Sequence, residues 1–129
     1  MHTRSIAKFA TIMLGVLFIG CASAPPRPAL ISHVVFVELH DPADIPELIA
    51  DSDATLAHIP GVVSYATGQP IDTGRDTVLD DYDVGMSLGF DSAEAYARYV
   101  AHPDHTRFVA RWKPRLTALR IYNFEDVTP

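Results

Sequence analysis

At 129 residues, 48% hydrophobic and 20% charged, the chain has the length and composition of one globular domain, which excludes intrinsic disorder over most of it. Sixteen acids against ten lysines and arginines give a formal charge of −6, a sign that argues against nucleic acid and anionic lipid as partners. A single cysteine excludes an intramolecular disulfide.

The N-terminus differs in character from the rest. Arg4 and Lys8 form a short basic region, and Phe9 to Ile19 then runs apolar without charge, too short for a comfortable membrane span. Phe18-Ile19-Gly20-Cys21 has the residue order of a bacterial lipoprotein cleavage site: a small residue precedes the cysteine that receives lipid, and Phe18 stands where leucine is usual. Residues 1–20 are therefore expected to be a lipoprotein signal peptide and Cys21 the lipidation site. Residues 21–30, with Pro25, Pro26 and Pro28, read as an extended tether, because closely spaced prolines favour polyproline II. This predicts a protein held at the bacterial cell envelope, facing the periplasm or exterior, with membrane contact only through its lipid anchor. Without residues 1–20 the balance is 8 cations against 16 acids, net −8 with histidine neutral.

The folded domain is expected over residues 31–126. Ile31 to Leu39 is rich in β-branched and aromatic residues and predicts a strand, with His33, Val35, Val37 and Leu39 on one face and Val34, Phe36 and Glu38 on the other. Asp44-Ile-Pro-Glu47 has capping-box spacing, and Ile45, Leu48, Ile49, Leu56 and Ile59 follow helical spacing until Pro60-Gly61 stops the helix. Val62 to Gln69 predicts a second strand and Tyr82 to Phe90 a third, in which Val84, Met86, Leu88 and Phe90 alternate with Asp83, Gly85, Ser87 and Gly89. The acidic run between them, Asp72, Asp76, Asp80, Asp81 and Asp83, lacks EF-hand spacing and reads as a solvated acidic loop. Asp91-Ser-Ala-Glu94 caps a second helix with Tyr96, Tyr99 and Val100 on its apolar face. Pro103 restarts the helix, and His105, Phe108, Val109, Trp112 and Leu116 then fall on one stripe. Pro114 ends that run, and Thr117 to Asp126 predicts a fourth strand.

The order strand, helix, strand, strand, helix, helix, strand is that of an α+β, ferredoxin-like domain: a four-stranded antiparallel sheet with its helices on one face. Helices cover one face only, yet Val34, Phe36, Tyr122 and Phe124 are apolar groups on the other. A homodimer with two sheets packed face to face is the expected consequence.

These features resemble the stress-responsive dimeric α+β barrel, or Dabb, family over about residues 32–126. The resemblance is carried by His33 opening the first strand, the Ile59-Pro-Gly-Val62 turn, Tyr82 to Phe90, and above all His102-Pro-Asp-His105 followed by Phe108-Val109. It implies a dimeric α+β barrel and a stress-related role. A plant member, olivetolic acid cyclase, performs an intramolecular aldol condensation without metal or cofactor, using a tyrosine and a histidine in a Tyr-x-x-His-Pro-x-His segment. By that resemblance the pair falls on Tyr99 and His105, and the family's first-strand histidine on His33. An imidazole with pKa near ~6.5 can take a proton next to a carbonyl, and a phenol can donate to the developing enolate oxygen.

Each candidate also has a purely structural role open to it. His105 can be a core histidine bonded to a backbone carbonyl, Tyr99 a packing aromatic, His102 a helix cap, and Trp112 core rather than ligand platform. His33 shares a strand face with Val35 and Val37 and fits core or cavity equally. His33, His102 and Trp112 are the candidate ligand contacts. No metal is expected, since His33, His102 and His105 lack a helical i, i+4 pair and an adjacent carboxylate. No cofactor is expected either. Two functions follow: binding of a small hydrophobic or aromatic ligand between sheet and helices, or cofactor-free cyclase- or isomerase-type proton transfer by His105 and Tyr99 on a carbonyl substrate.

Overall fold

Four antiparallel strands form one sheet in the computed structural model, which describes residues 27–128. The expected signal peptide, Cys21 and most of the tether lie outside the described residues. The strands are β1 (Ile31–Leu39), β2 (Val62–Gly68), β3 (Val84–Phe90) and β4 (Leu116–Glu125), in spatial order β2-β3-β1-β4. The helices are α1 (Ile45–Thr55), α2 (Ala93–Ala101) and α3 (Pro103–Trp112). This is the expected α+β, ferredoxin-like arrangement.

Alternation decides which side chains the helices cover. Val35 pairs with Met86 on one side and Ile121 on the other, so His33, Val35 and Val37 share a face with Leu88, Met86 and Val84 and with Asn123, Ile121 and Leu119. On that face Leu48 of α1, Tyr99 of α2 and Trp112 of α3 close over β1 and β3, each at most 2% exposed. The opposite face carries Val34, Phe36, Tyr122 and Phe124, the last two 56% and 59% exposed. Phe36 packs its ring against Tyr82 at 4.7 Å.

Several local expectations are corrected. Asp44 makes no side-chain cap; a 3₁₀ turn (Pro42–Asp44), capped by Asp41 at 2.9 Å from the Ala43 N–H, precedes α1. The Asp44 and Glu47 carboxylates are instead held by the Arg115 guanidinium, at 2.8 and 3.0 Å, a stronger charge-assisted partner than a backbone N–H. Ser92, not Asp91, caps α2, taking the Ala95 N–H at 3.1 Å. β3 begins at Val84, because Asp83 lies at its approach with its carboxylate accepting the Leu39 N–H at 2.7 Å. That bond, and the pairing of Asp81 with Arg120, tie the end of the acidic loop to the sheet. Val100 is 41% exposed, and the buried residues of α2 are Ala95 and Tyr99. Leu30, placed in the tether, already bonds Phe90 and Asp126 through its backbone.

Beyond Trp112 a 3₁₀ turn (Lys113–Arg115) leads into β4, so Leu116 opens the strand instead of ending the helical stripe. Pro114 sits within that turn, where an α-helix cannot continue undisturbed. The turn aims Arg115 at α1. Arg115 lies 4.2 Å over the Trp112 ring, Trp112 donates its indole N–H to Asp51 at 2.6 Å, and Arg111 pairs with Asp51 and Glu47. These contacts lock α3 against α1 and set its distance from the sheet.

Candidate functional site

The corner between α2 and α3 follows from Pro103. A residue before proline is pushed out of the helical region, and His102 is extended (φ −65°, ψ 139°). His102 thereby serves as the N-cap of α3, its Nδ1 accepting the Asp104 N–H at 3.2 Å. The corner brings Tyr99, near the end of α2, to His105, in the first turn of α3, with ring centroids 4.7 Å apart.

His105 Nδ1 lies 3.0 Å from the Val100 carbonyl oxygen. A carbonyl can only accept, so Nδ1 carries the hydrogen and Nε2 the lone pair. Burial lowers the His105 pKa, the Val100 bond opposes this, and nearby His33 lowers it further. At neutral pH the ring is therefore a neutral base. Tyr99 is 1% exposed, and burial, followed by the neighbouring Tyr96 and Tyr65, pushes its phenol well above the usual range. It stays protonated. Among the described residues its hydroxyl has no hydrogen-bond partner.

His33 occupies the other side of Tyr99, with ring centroids 6.0 Å apart. Its register partner on β4 is Asn123, whose Oδ1 is 2.7 Å from His33 Nδ1. Asn123 Nδ2 donates to the Tyr96 hydroxyl at 3.1 Å, which leaves Oδ1 as the acceptor and gives His33 the Nδ1–H tautomer as well. Burial lowers the His33 pKa and the Asn123 bond partly offsets it. Two neutral imidazoles thus flank one protonated phenol.

All three groups line one cavity of about 90 Å³ between the sheet and the α2–α3 corner. Val35, Val37, Met86 and Leu88 form its floor, and Phe108 and Trp112 part of its wall. Trp112 turns its indole N–H away to Asp51, so its contribution to the wall is apolar. Val109, Leu119 and Ile121 line the cavity while 39%, 48% and 50% exposed, which places the opening along the β4 edge. Val109 is therefore at the rim and not on a fully buried stripe.

Of the sequence candidates, His105, Tyr99, His33 and Trp112 come together in this cavity. His102 does not line it. Sequence reasoning missed Asn123, Lys113, Leu119 and Ile121. The signal for Asn123 was available in the alternation of β4, where 119, 121 and 123 share a face, but its register against His33 was not.

The arrangement can hold a mostly apolar molecule, remove a proton through an imidazole Nε2 and stabilise an oxyanion with a phenol. Comparison with known proteins places the chain. A protein of the Dabb family with a ferredoxin-like fold from Mesorhizobium loti is 28% identical, covering 76% of this chain and 97% of that one, with TM-score 0.63. A dimeric ferredoxin-like protein from Thermobifida fusca is 23% identical over 74% of this chain and 89% of that one, with TM-score 0.62. The hydroxynitrile lyase of Passiflora edulis shares the fold at 17% identity, covering 80% of this chain and all of that one (100%), with TM-score 0.66. No curated protein matches. The profile of the stress-responsive A/B barrel domain matches residues 31–126, and the chain therefore belongs to the Dabb, or stress-responsive A/B barrel domain, family.

Proposed function

We propose that this domain binds a small hydrophobic or aromatic carbonyl compound in the cavity between sheet and helices and catalyses cofactor-free proton transfer on it. The observation that carries the reading is the shared cavity: Tyr99 and His105 both line it, 4.7 Å apart, in complementary protonation states. His105 Nε2 takes a proton from the carbon next to the carbonyl, and its pair of electrons moves onto the carbonyl oxygen. Tyr99 donates a hydrogen bond to that oxygen as its charge grows, an interaction strengthened by the apolar surroundings. The imidazolium then returns the proton at a second position, or the enolate attacks another carbonyl of the same molecule, as in an isomerase or a cyclase. A structurally similar chain is a hydroxynitrile lyase, so the fold supports chemistry in at least one such protein.

The test is α-proton exchange of a panel of ketones and β-diketones in D₂O, followed by NMR. His105→Ala is expected to lose the exchange by about 10²–10⁴-fold. Equal exchange in the variant and the parent would exclude His105 as the base. Binding without turnover is the second reading. It is favoured by a cavity whose lining is apolar apart from His33, Tyr99, His105 and Lys113, and it is the result if ligands bind but no exchange is seen.

The same proposal includes a homodimer and an anchor. The uncovered sheet face with Val34, Phe36, Tyr122 and Phe124 suits packing against its copy, and a similar chain is described as dimeric. Tyr122→Asp combined with Phe124→Asp should give monomers in analytical ultracentrifugation; a monomeric parent removes the idea. The Gly20-Cys21 junction supports lipidation and an envelope location facing the periplasm or exterior, with a stress-related role there. Cys21→Ser should abolish labelling by a clickable fatty acid.

A further inference from the structure

Among the described residues lining the cavity, Lys113 is, histidines aside, the one that carries a formal charge at neutral pH. Its position is set by the turn after α3. Arg111 and Arg115, two residues to either side, reach towards α1 and are consumed in ion pairs with Asp44, Glu47 and Asp51. Lys113 is among the residues lining the cavity, and among the described residues its side chain enters no ion pair or hydrogen bond. A shallower recess formed by Lys113, Leu116, Thr117, Ala118 and Leu119 adjoins it. Lys113, Leu116 and Leu119 line both, so the cavity continues onto the surface at this end.

Lys113 stands at the far end of the lining from the proton-handling groups. His105 and Lys113 are eight positions apart along α3 and its C-cap, about 12 Å at the helical rise of ~1.5 Å per residue. The sheet measures the same interval. Asn123 pairs with His33 and Leu119 with Val37, about 13 Å further along β1 at ~3.3 Å per residue. Between the two ends the lining is aliphatic and aromatic.

We propose that the cavity and the open recess that continues it together select elongated, largely apolar molecules that end in a carboxylate, with Lys113 meeting the carboxylate in the recess while the carbonyl lies in the cavity at Tyr99 and His105. This deepens the proton-transfer reading and rests on it for the position of the carbonyl. One unpaired ammonium on a chain with a formal charge of −6 suits a monoanion; a phosphate dianion would call for more cations than this end supplies. The charge also gives orientation, since an apolar trough alone would accept such a molecule either way round.

The probes are 4-phenylbutanoic, 6-phenylhexanoic and 8-phenyloctanoic acids, each compared with its primary amide. The intact chain contains a single tryptophan, Trp112, and it lies in the cavity wall, so quenching of intrinsic fluorescence reports occupancy. At low salt the longer acids are expected to bind about three- to fivefold tighter than their amides, the range of an exposed ion pair. The preference should fade with added salt, vanish in Lys113→Met and reverse in Lys113→Glu. Lys113 is exposed, so these variants should fold, as circular dichroism would verify. Equal binding of acid and amide, unchanged in Lys113→Met, overturns the carboxylate assignment and leaves the proton-transfer reading intact. Binding of neither series, with the Trp112 emission unmoved at every length, overturns the elongated-ligand assignment as well, while the proton-transfer reading stands or falls on the D₂O exchange of ketones.

Discussion

Removing the single oxygen of Tyr99 separates stability from function in a way that the structure makes quantitative. In most proteins a fully buried tyrosine hydroxyl is tied to a neighbour, and Tyr→Phe then costs about 0.5–1.5 kcal/mol. Tyr99 is 1% exposed, yet its hydroxyl meets the cavity and no protein partner among the described residues. Tyr99→Phe therefore loses no protein hydrogen bond and removes a polar group from an apolar setting. The expected change is from zero to a gain of about 1 kcal/mol in unfolding free energy. Tyr65 supplies the control within the same fold. Its hydroxyl lies 3.0 Å from the oxygen of fully buried Ser52, and Tyr65→Phe should lose about 1 kcal/mol. At roughly 4–8 °C per kcal/mol for a domain of this size, the two variants should melt on opposite sides of the parent. Calorimetry measures the order, and the D₂O exchange assay measures the catalytic loss, expected to be about 10²-fold or more for Tyr99→Phe alone. A Tyr99→Phe variant that melts well below the parent would show that the hydroxyl is structural, and undiminished exchange would remove its role as oxyanion donor.

Three further outcomes rest on the same geometry. Phe90 is 0% exposed and backs Tyr99 at 5.0 Å between ring centroids, so Phe90→Ala should lower unfolding stability by about 3–5 kcal/mol in urea titrations. Burial lowers the pKa of both His33 and His105 in the folded state, so the unfolded chain binds more protons below the free-histidine value of ~6.5. Their contribution is complete above that pH and is lost as pH falls through the depressed folded values; a midpoint denaturant concentration that rises on acidification between pH 7 and 5 would contradict this sign. Asn123→Leu removes the acceptor that holds His33 in its Nδ1–H form, and ¹⁵N NMR of the imidazoles should show His33 change tautomer while His105, held by Val100, does not.

The elements that hold this fold are legible one by one in the chain. The period-two alternation of Ile31–Leu39 and Val84–Phe90, the stop at Pro114 and the restart at Pro103 are local features, and local sterics enforce them wherever the chain lies. The first helix is a correction: α1 ends at Thr55 and a 3₁₀ turn (Leu56–His58) follows, ahead of the Pro60-Gly61 expected to stop it. Caps were less legible. Asp44 has the residue type and spacing of a cap, but a guanidinium seventy-one residues later takes its carboxylate, and no local rule contains that competitor. The same reason governs the cavity. His105 and Tyr99 are close because a proline turns the chain between them, which sequence spacing conveys. His33 and Asn123, ninety residues apart, meet only through the register of β1 and β4. Likewise the unpaired state of Lys113 depends on where Arg111 and Arg115 find their acids. The amino-acid order by itself determined the strands, the helix breaks and the pair at the α2–α3 corner, because each is a short-range consequence of backbone sterics and hydrophobic period. Which imidazole nitrogens carry lone pairs, where the cavity opens and which cation is left unpaired at its edge were decided only by tertiary structure, because each depends on partners that the chain brings together from far apart.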